Sequence, residues 1–206
     1  MTTKRTDADY EEVVSPNLYF DKNFDIEAVK IFPGEYFVTA RNMMLVTVLG
    51  SCIAACIRDR TTGMGGMNHF MLPGDGNDLL SSSARYGAYA MEMMINELLK
   101  MGAKRSNLEA KIFGGGNVLR GFTVANVGER NAEFAFNYLH TENIPIVAQD
   151  VLDIYPRKVY FFSHSGKVLV KKLRSLHNNT VIEREQVYSS RLKVAEVQGE
   201  VEMFDE

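Results

Sequence analysis

The stretch LVTVLGSCIAACIRDRTTGMGGMNHFMLP, residues 45–73, decides the fold of the chain around it. Three apolar, β-branched runs, 43–49, 52–57 and 64–72, have the composition of strands. A polar segment rich in turn-forming residues, 59–63, separates the second run from the third, which is typical of a β-hairpin. We therefore predict that the second and third runs pair as antiparallel strands.

The register of this hairpin decides which side chains meet. A turn centred on Arg60 and Thr61 would place Cys52 opposite His69, with Cβ atoms about 4.5–5.5 Å apart. An imidazole at that distance can hold a cysteine as the thiolate, which is the nucleophilic form. Taken singly, a cysteine on an apolar strand is more often a small buried hydrophobe, so the pairing is a hypothesis.

Small residues precede both candidates. Gly50 and Ser51 lead into Cys52, and two glycines stand shortly before His69. Such residues let a substrate backbone approach and leave a backbone N–H free to bind an oxyanion. We expect Cys56, four residues further along the strand, to lie about 13 Å from Cys52, too far for a disulfide, and we interpret it as packing. Neither CxxC nor HExxH spacing occurs, so no metal site is predicted.

Composition narrows the class of protein. A chain of 206 residues, 46% hydrophobic and 24% charged, can fill one core. The net charge of -3, with no basic cluster beyond Lys171, Lys172 and Arg174, argues against a nucleic-acid partner. The apolar run at 43–49 is far shorter than the roughly 20 residues that span a bilayer, and the N-terminus does not resemble a signal peptide. We expect a cytoplasmic protein whose cysteines stay reduced.

The remaining pattern predicts a mixed fold. Apolar residues recur at helical spacing from Tyr86 until Gly102 ends the helix, and a second helix begins near Gly128. Because hairpins at both ends exclude a purely parallel sheet, we predict an α/β layered sandwich with a mixed, largely antiparallel sheet and two main helices. Further strands are predicted over 35–39, 109–113, 144–148, 159–162 and 167–170.

The glycine-rich run GGGN, residues 114–117, follows a predicted strand. It lacks both the GxGxxG spacing and the GK[ST] ending of nucleotide-binding loops, so the nucleotide signal is weak. The alternative is that its glycines permit close approach of a partner or of the hairpin.

Three segments divide the chain. Residues 1–17 are polar and predict a flexible N-terminal arm, and we predict that 18–174 form one domain, which would be catalytic if Cys52 and His69 react together. Residues 175–206 mix apolar and charged positions, typical of a loosely docked helix or a disordered tail of unknown role. Because no motif residue lies in 175–206, we expect its deletion to leave the chemistry intact.

Two segments in the first part of the chain, LGSCIAACIRD and GGMNHFMLP, resemble the signature of the CheD family, the chemoreceptor glutamine deamidases of bacterial chemotaxis. The resemblance covers roughly residues 18–173 and is far more specific than one Cys-His pair. Further matching segments are FPGEYFVT (32–39), KIFGGGNVL (111–119), VGERNAEF (127–134), ENIPIVAQD (142–150) and YPRKVYFFSHSGKVLVKKL (155–173).

The resemblance implies roles for particular residues. Cys52 matches the family's nucleophile, His69 its general base and acid, and Thr47 is the nearest match to an orienting threonine. We expect other residues of the matching segments to line the approach of a substrate or partner: Gly50, Ser51, Gly66, Asn68, Gly114, Gly115, Gly116 and Asn117.

The resemblance also implies a reaction without a cofactor. Specific glutamines of a chemoreceptor's cytoplasmic domain would be converted to glutamate through a cysteine thioester, and glutamyl methyl esters would follow the same path. The expected partner is the chemoreceptor, with recruitment to receptor arrays. We expect action on glutamine in a folded, helical receptor rather than on free glutamine, since no charged pair beside Cys52 would grip an amino acid's ends.

Two alternatives stay open. A cysteine protease or transglutaminase uses the same Cys-His pair and acyl-enzyme, and differs in its leaving group or acceptor. A protein that binds and regulates a CheC-type chemotaxis phosphatase would need no catalysis at all.

Overall fold

The structure, a computed structural model, describes residues 17–72, 82–118, 127–173 and 179–194. Within these ranges the chain forms ten strands, three α-helices and a short 3-10 helix, Arg105–Asn107. The strands are β1 (Leu18–Asp21), β2 (Ile26–Lys30), β3 (Tyr36–Thr39), β4 (Met44–Leu49), β5 (Ile53–Asp59), β6 (Gly65–Asn68), β7 (Leu108–Gly114), β8 (Ile146–Val151), β9 (Arg157–Phe162) and β10 (Val168–Lys172). The helices are α1 (Ser82–Lys100), α2 (Val127–Thr141) and α3 (Asn179–Val194).

These strands form two five-stranded sheets. The first sheet has the order β1-β2-β4-β9-β10 and the second β3-β6-β5-β7-β8. Each contains one parallel pair, β2 with β4 and β7 with β8, and its other pairs are antiparallel. The predicted α/β sandwich with mixed, largely antiparallel pairing is confirmed, although it has two sheets and a third helix. β1 and β2 were not predicted, because β1 is largely exposed and lacks an alternating apolar pattern.

The alternation of side chains along β5 separates two apolar layers. Ile53 and Ile57 belong to a buried cluster that includes residues of both α1 and α2. Cys52, Ala54 and Cys56 belong to a second cluster, which includes residues of β4 and β9 from the first sheet. Helices α1 and α2 therefore cover one face of the second sheet, and the first sheet covers its other face. Cys52 lies in the layer between the two sheets.

The predicted hairpin forms, but its register differs from the prediction. Cys56 pairs with Met67, and an isolated bridge joins Ile53 to Phe70. Continuing this register places Met71, not His69, opposite Cys52. The shift of two residues keeps Cys52 and His69 on the same face of the sheet, because side chains alternate with a period of two.

The turn explains the shift. Asp59 and Met64 close a four-residue loop through the Asp59 N–H, which donates to the Met64 carbonyl at 2.9 Å. The Asp59 carboxylate accepts bonds from the amides of Thr61 and Thr62, and Gly63 adopts a φ of 77°. The turn is therefore centred one position later than predicted.

The glycine loop after β7 packs against the residues that precede β5. The Gly115 N–H donates to the Cys52 carbonyl and the Gly116 N–H to the Gly50 carbonyl, both at 2.7 Å. Gly114 has a φ of 111°, and a Cβ there would overlap the Cys52 carbonyl oxygen. The expectation that these glycines permit close approach of the hairpin is confirmed.

The two predicted helices are confirmed as α1 and α2, with Gly102 at a φ of 109° after α1. Residues 1–16 of the predicted arm and residues 73–81 after the hairpin lie outside the described ranges. Among the helices that the structure describes, none is long and apolar enough to cross a membrane.

Gly114→Ala should destabilise the protein by about 2–4 kcal/mol. An alanine held at a positive φ costs about 1–2 kcal/mol, and the overlap of its Cβ with the Cys52 carbonyl oxygen adds to that cost. Gly102→Ala is the matched control, since its φ is similar but nothing lies within 4 Å of the added Cβ. Urea unfolding of both variants gives the comparison. Equal losses in the two would contradict the proposed contact with the Cys52 carbonyl.

Candidate active site

Thr47 and His69 are brought together across the two sheets. Thr47 lies on β4 of the first sheet and His69 directly follows β6 of the second. The Thr47 Oγ1 and the His69 Nδ1 are 2.8 Å apart, and both residues are buried. The structure therefore brings into contact two of the three residues for which the resemblance implies a catalytic role.

The hydrogen bonds of Thr47 fix the tautomer of His69. The Thr47 hydroxyl donates its single proton to the Ile31 carbonyl at 2.8 Å. It can therefore only accept from His69, so the Nδ1 carries the imidazole proton and the Nε2 presents its lone pair. An unprotonated Nε2 is what a general base requires.

The His69 ring is held neutral in an apolar setting. Burial lowers its pKa from 6.5 to about 3. Among the described residues, the buried Nε2 finds no hydrogen-bond partner. A cavity of about 20 Å³, room for one water molecule, is lined by His69 together with Ile31, Val48 and Glu185.

Cys52 lies one diagonal step from His69. The two residues flank the bridge between Ile53 and Phe70, whose N–H groups and carbonyls exchange bonds of 2.9 Å. Diagonal neighbours on one face have Cβ atoms about 7–8 Å apart or somewhat less. The thiol and the imidazole therefore face the same layer, on adjacent strands.

Three consecutive backbone amides beside Cys52 form an anion-binding cradle, which we define as the N–H groups of Gly50, Ser51 and Cys52. In the structure they bind the carboxylate of Glu185 from α3. The donors of Gly50 and Cys52 reach its Oε1 at 2.8 and 3.2 Å, and the Ser51 N–H reaches its Oε2 at 2.9 Å. The Ser51 hydroxyl adds a fourth bond of 2.8 Å. Successive N–H groups of this kind bind anions.

The same carboxylate opposes ionisation of Cys52. The pKa of the thiol lies well above its usual 9, chiefly because the side chain is fully buried and secondly because the charge of Glu185 is adjacent. A backbone hydrogen bond acts in the opposite direction but is the weaker effect. With Glu185 in the cradle, Cys52 is a thiol and His69 is neutral.

Cys56 lies in the same layer as Cys52 and is a buried free thiol, as its interpretation as packing requires. Two of the predicted site residues, Asn68 and Gly66, lie away from this layer. Asn68 accepts from the Ala55 N–H at 2.9 Å and donates to the Ala90 carbonyl of α1 at 3.2 Å. Gly66 packs between Val38 and α1. Asn68 and Gly66 therefore face the helices.

The other predicted residues lie behind or beside the cradle. The N–H groups of Gly115 and Gly116 donate to the carbonyls of Cys52 and Gly50, so their observed role is to hold the backbone of the cradle residues. Gly114 makes the close approach described above. The Asn117 N–H donates to the Asp153 carbonyl at 2.7 Å, and the Asn117 side chain is exposed.

Two residues of the site were missed by the sequence reasoning. Asn131 of α2 is fully buried, donates to the Ser51 carbonyl and accepts from the Leu72 N–H, each at 2.9 Å. A buried-face asparagine within VGERNAEF was the available signal. The second is Glu185 of α3, which bonds the amides of Gly50, Ser51 and Cys52, while the effect of deleting residues 175–206 stays a prediction. The signal for Glu185 was an acidic residue within an apolar stripe.

The buried His69 should make stability depend on pH. The pKa of His69 is about 3 in the folded chain and 6.5 ordinarily, so between these two pH values the unfolded chain binds the proton and the folded chain does not. The contribution of neutral His69 to the unfolding free energy is complete above pH 6.5 and is lost as the pH falls toward 3. Between about pH 6.5 and about pH 4.5 the wild-type protein should lose about 2–3 kcal/mol more unfolding free energy than His69→Gln. Parallel urea titrations would show this, and identical pH dependence would contradict a buried neutral histidine.

Comparison with known proteins identifies the family of this chain. A family model described as CheD chemotactic sensory transduction matches residues 71–172. A protein of Thiobacillus denitrificans, named probable chemoreceptor glutamine deamidase CheD, is 64% identical over 197 residues, covering 94% of this chain and 98% of that protein. Proteins with the same name from Methylobacillus flagellatus and Janthinobacterium sp. are 62% and 61% identical, each over 94% of this chain and 98% and 97% of their own lengths.

A solved structure gives a much weaker likeness. The hypothetical protein YfiH of Bacillus licheniformis superposes with a TM-score of 0.36 and 13% identity, over 58% of this chain and 49% of that one. The sequence relatives, by contrast, match along nearly their whole length. The chain belongs to the CheD family.

Proposed function

We propose that this protein is a chemoreceptor glutamine deamidase, which converts specific receptor glutamines to glutamate and releases ammonia. The observation that carries the proposal is an anion cradle at the backbone of Cys52, beside a histidine whose Nε2 is left free by Thr47. Members of the family that match this chain closely are named for the same activity.

Acylation follows from the placement of these groups. The His69 Nε2 takes the proton of the Cys52 thiol, and the sulfur attacks the side-chain amide carbon of the glutamine. The carbonyl oxygen becomes an oxyanion, which the cradle binds through its N–H groups. As the intermediate collapses, the C–N bond breaks and His69 returns the proton to the nitrogen. Ammonia leaves and a thioester remains on Cys52.

Hydrolysis uses the same groups again. The His69 Nε2 takes a proton from a water molecule as its oxygen attacks the thioester carbon. The C–S bond breaks, the proton returns to the sulfur, and the product is a glutamate side chain. A glutamyl methyl ester would follow the same two steps with methanol as the leaving group, so both activities need the same residues.

Thr47 serves as a positioning residue in this scheme. Because its hydroxyl accepts from the Nδ1, it fixes both the ring orientation and the tautomer of His69. After the Nε2 gains a proton, the Nδ1–H remains bonded to the same oxygen. Proton transfer therefore requires no rearrangement of the ring.

Two finer points extend the proposal. We infer a cytoplasmic location with recruitment to receptor arrays, because the substrate glutamines would lie on the receptor's cytoplasmic domain. A CheC-type phosphatase as second partner follows from the family resemblance. Copurification of tagged protein with either partner would test both points.

Cys52→Ala should abolish ammonia release from a purified receptor cytoplasmic fragment, since no nucleophile remains at the cradle. Cys56→Ala is the matched control and should keep most activity, because Cys56 is a buried packing residue. Mass spectrometry of the receptor peptides would identify the modified glutamines, and free glutamine should react far more slowly. Peptide cleavage or cross-linking in place of ammonia release would support a protease or transglutaminase.

Thr47→Ala should lower kcat by about 10- to 100-fold, because the ring of His69 loses its orienting partner. Thr47→Ser keeps the hydroxyl and should retain most of the rate. Steady-state kinetics with the receptor fragment would separate kcat from KM, and KM should change little. If the alanine and serine variants are equally impaired, packing of the threonine methyl group is responsible instead.

A further inference from the structure

Helix α3 presents one buried stripe to the rest of the protein. Val181, Glu185 and Tyr188 are separated by four and three residues, so they share one helix face. Val181 and Glu185 are only 8% and 3% exposed. The neighbouring Glu183 and Gln186 are exposed to solvent. A carboxylate therefore stands in the middle of the docked face of α3.

Contacts on both sides of Glu185 hold α3 in place. The Tyr188 ring packs over Gly34, and its hydroxyl bonds to the Tyr86 hydroxyl of α1. Further along the helix, Leu192 packs against the apolar cluster between the sheets. The Arg184 guanidinium stands 5.9 Å from the centre of the Phe32 ring. Glu185 is thus held at the cradle by a helix that has further contacts with Tyr86, Phe32 and the apolar cluster.

The group that fills the cradle has the chemistry of the reaction product. Deamidation ends with a glutamate side chain beside Cys52, and the Glu185 carboxylate occupies that position with four hydrogen bonds. Both of its oxygens accept bonds. A glutamine offers one acceptor, and its NH₂ group would face the Ser51 N–H, placing two donors together. The cradle as it stands therefore favours a carboxylate over an amide.

We propose that α3 is an autoinhibitory segment, which holds Glu185 where the product glutamate of a receptor would bind. The proposal rests on the proposed function, because it takes the cradle as the place where the amide reacts. A receptor glutamine and Glu185 cannot occupy the cradle together, so α3 must leave before the substrate enters. In this proposal Glu185 takes the place of a substrate side chain, and Glu185 itself projects from a helix. The substrate is therefore a glutamine on a helical surface of the receptor.

The state of Cys52 agrees with this geometry. Burial and the adjacent carboxylate together raise the pKa of its thiol, and both causes weaken when Glu185 leaves. Departure of α3 would therefore open the cradle and favour the thiolate in one step. A receptor helix that displaces α3 would start the reaction by binding.

The first test compares two alanine variants of α3 in the full chain. Glu185→Ala should raise kcat/KM on a receptor cytoplasmic fragment by at least about tenfold, if fewer than about one molecule in ten is open in the wild type. Glu183→Ala is the matched control, since it removes the same charge from the exposed side of the same helix. Thermal melting of both variants checks that they are folded.

A second measurement is independent of deamidation. In a Cys56→Ala background Cys52 is the sole cysteine, because the chain contains two. Its alkylation by iodoacetamide should be at least about tenfold faster with Glu185→Ala, and unchanged with Glu183→Ala.

A third variant asks whether α3 lies in the substrate's position. Glu185→Gln places a glutamine side chain beside Cys52, and the enzyme should convert it slowly back to glutamate. The peptide that contains position 185 would then gain the mass difference between an amide and a carboxylate. The double variant Cys52→Ala, Glu185→Gln should keep the amide.

The outcomes separate the inference from the function on which it rests. If the wild type deamidates a receptor but Glu185→Ala changes neither kcat/KM nor alkylation, autoinhibition is wrong. A folded Glu185→Ala variant with lower activity would also overturn it, and would make Glu185 a support of the cradle. Suppose instead that Glu185→Ala exposes Cys52 to alkylation, while no variant releases ammonia from the receptor and Glu185→Gln keeps its own amide. The conclusion that α3 covers Cys52 would then be kept, and the proposed deamidase function would be rejected.

Discussion

The site depends on three consecutive backbone N–H groups, of Gly50, Ser51 and Cys52, that bind one carboxylate. The cradle forms at the bend between β4 and β5, and the surrounding elements hold it from behind. The glycine loop after β7 donates two bonds to its carbonyls, and Asn131 of α2 donates a third. A side chain at Gly50 would crowd the bound carboxylate. The arrangement is rigid before any substrate arrives, which is what stabilisation of an oxyanion requires.

His69, the proposed base, and Thr47, its proposed positioning residue, come from opposite sheets. Thr47 belongs to the first sheet and His69 follows a strand of the second, and their hydrogen bond exists because the sheets pack face to face. The Ile31 carbonyl accepts the only proton of the Thr47 hydroxyl, so one backbone acceptor determines which nitrogen of the imidazole carries the ring proton. Burial suppresses the charge of His69 in this closed state. The contact that orients His69 is therefore also a contact between the two packed sheets.

In the proposed autoinhibition, a peripheral helix controls a buried thiol through the cradle beside it. A carboxylate in an apolar layer is tolerated when hydrogen-bond donors surround it, and the cradle provides three from the backbone. The same bonds withhold those donors from any other anion. Since α3 docks through Tyr188 and Leu192 and is part of neither sheet, its departure would remove the block without breaking any strand pairing. Reactive and protected forms can then share one catalytic framework.

The sequence by itself determined the strands of the hairpin, the helices α1 and α2, the mixed sandwich and the shared face of Cys52 and His69. These follow from local periodicity and turn chemistry, which neighbouring residues specify. The sequence did not determine the hairpin register, because the centre of the turn depends on the hydrogen bonds that the Asp59 carboxylate accepts from the loop amides. Only the tertiary structure decided that Thr47 meets His69 across two sheets and that Glu185, 133 residues after Cys52, fills the cradle. Contacts between distant segments depend on how whole elements pack, and no local pattern records that packing.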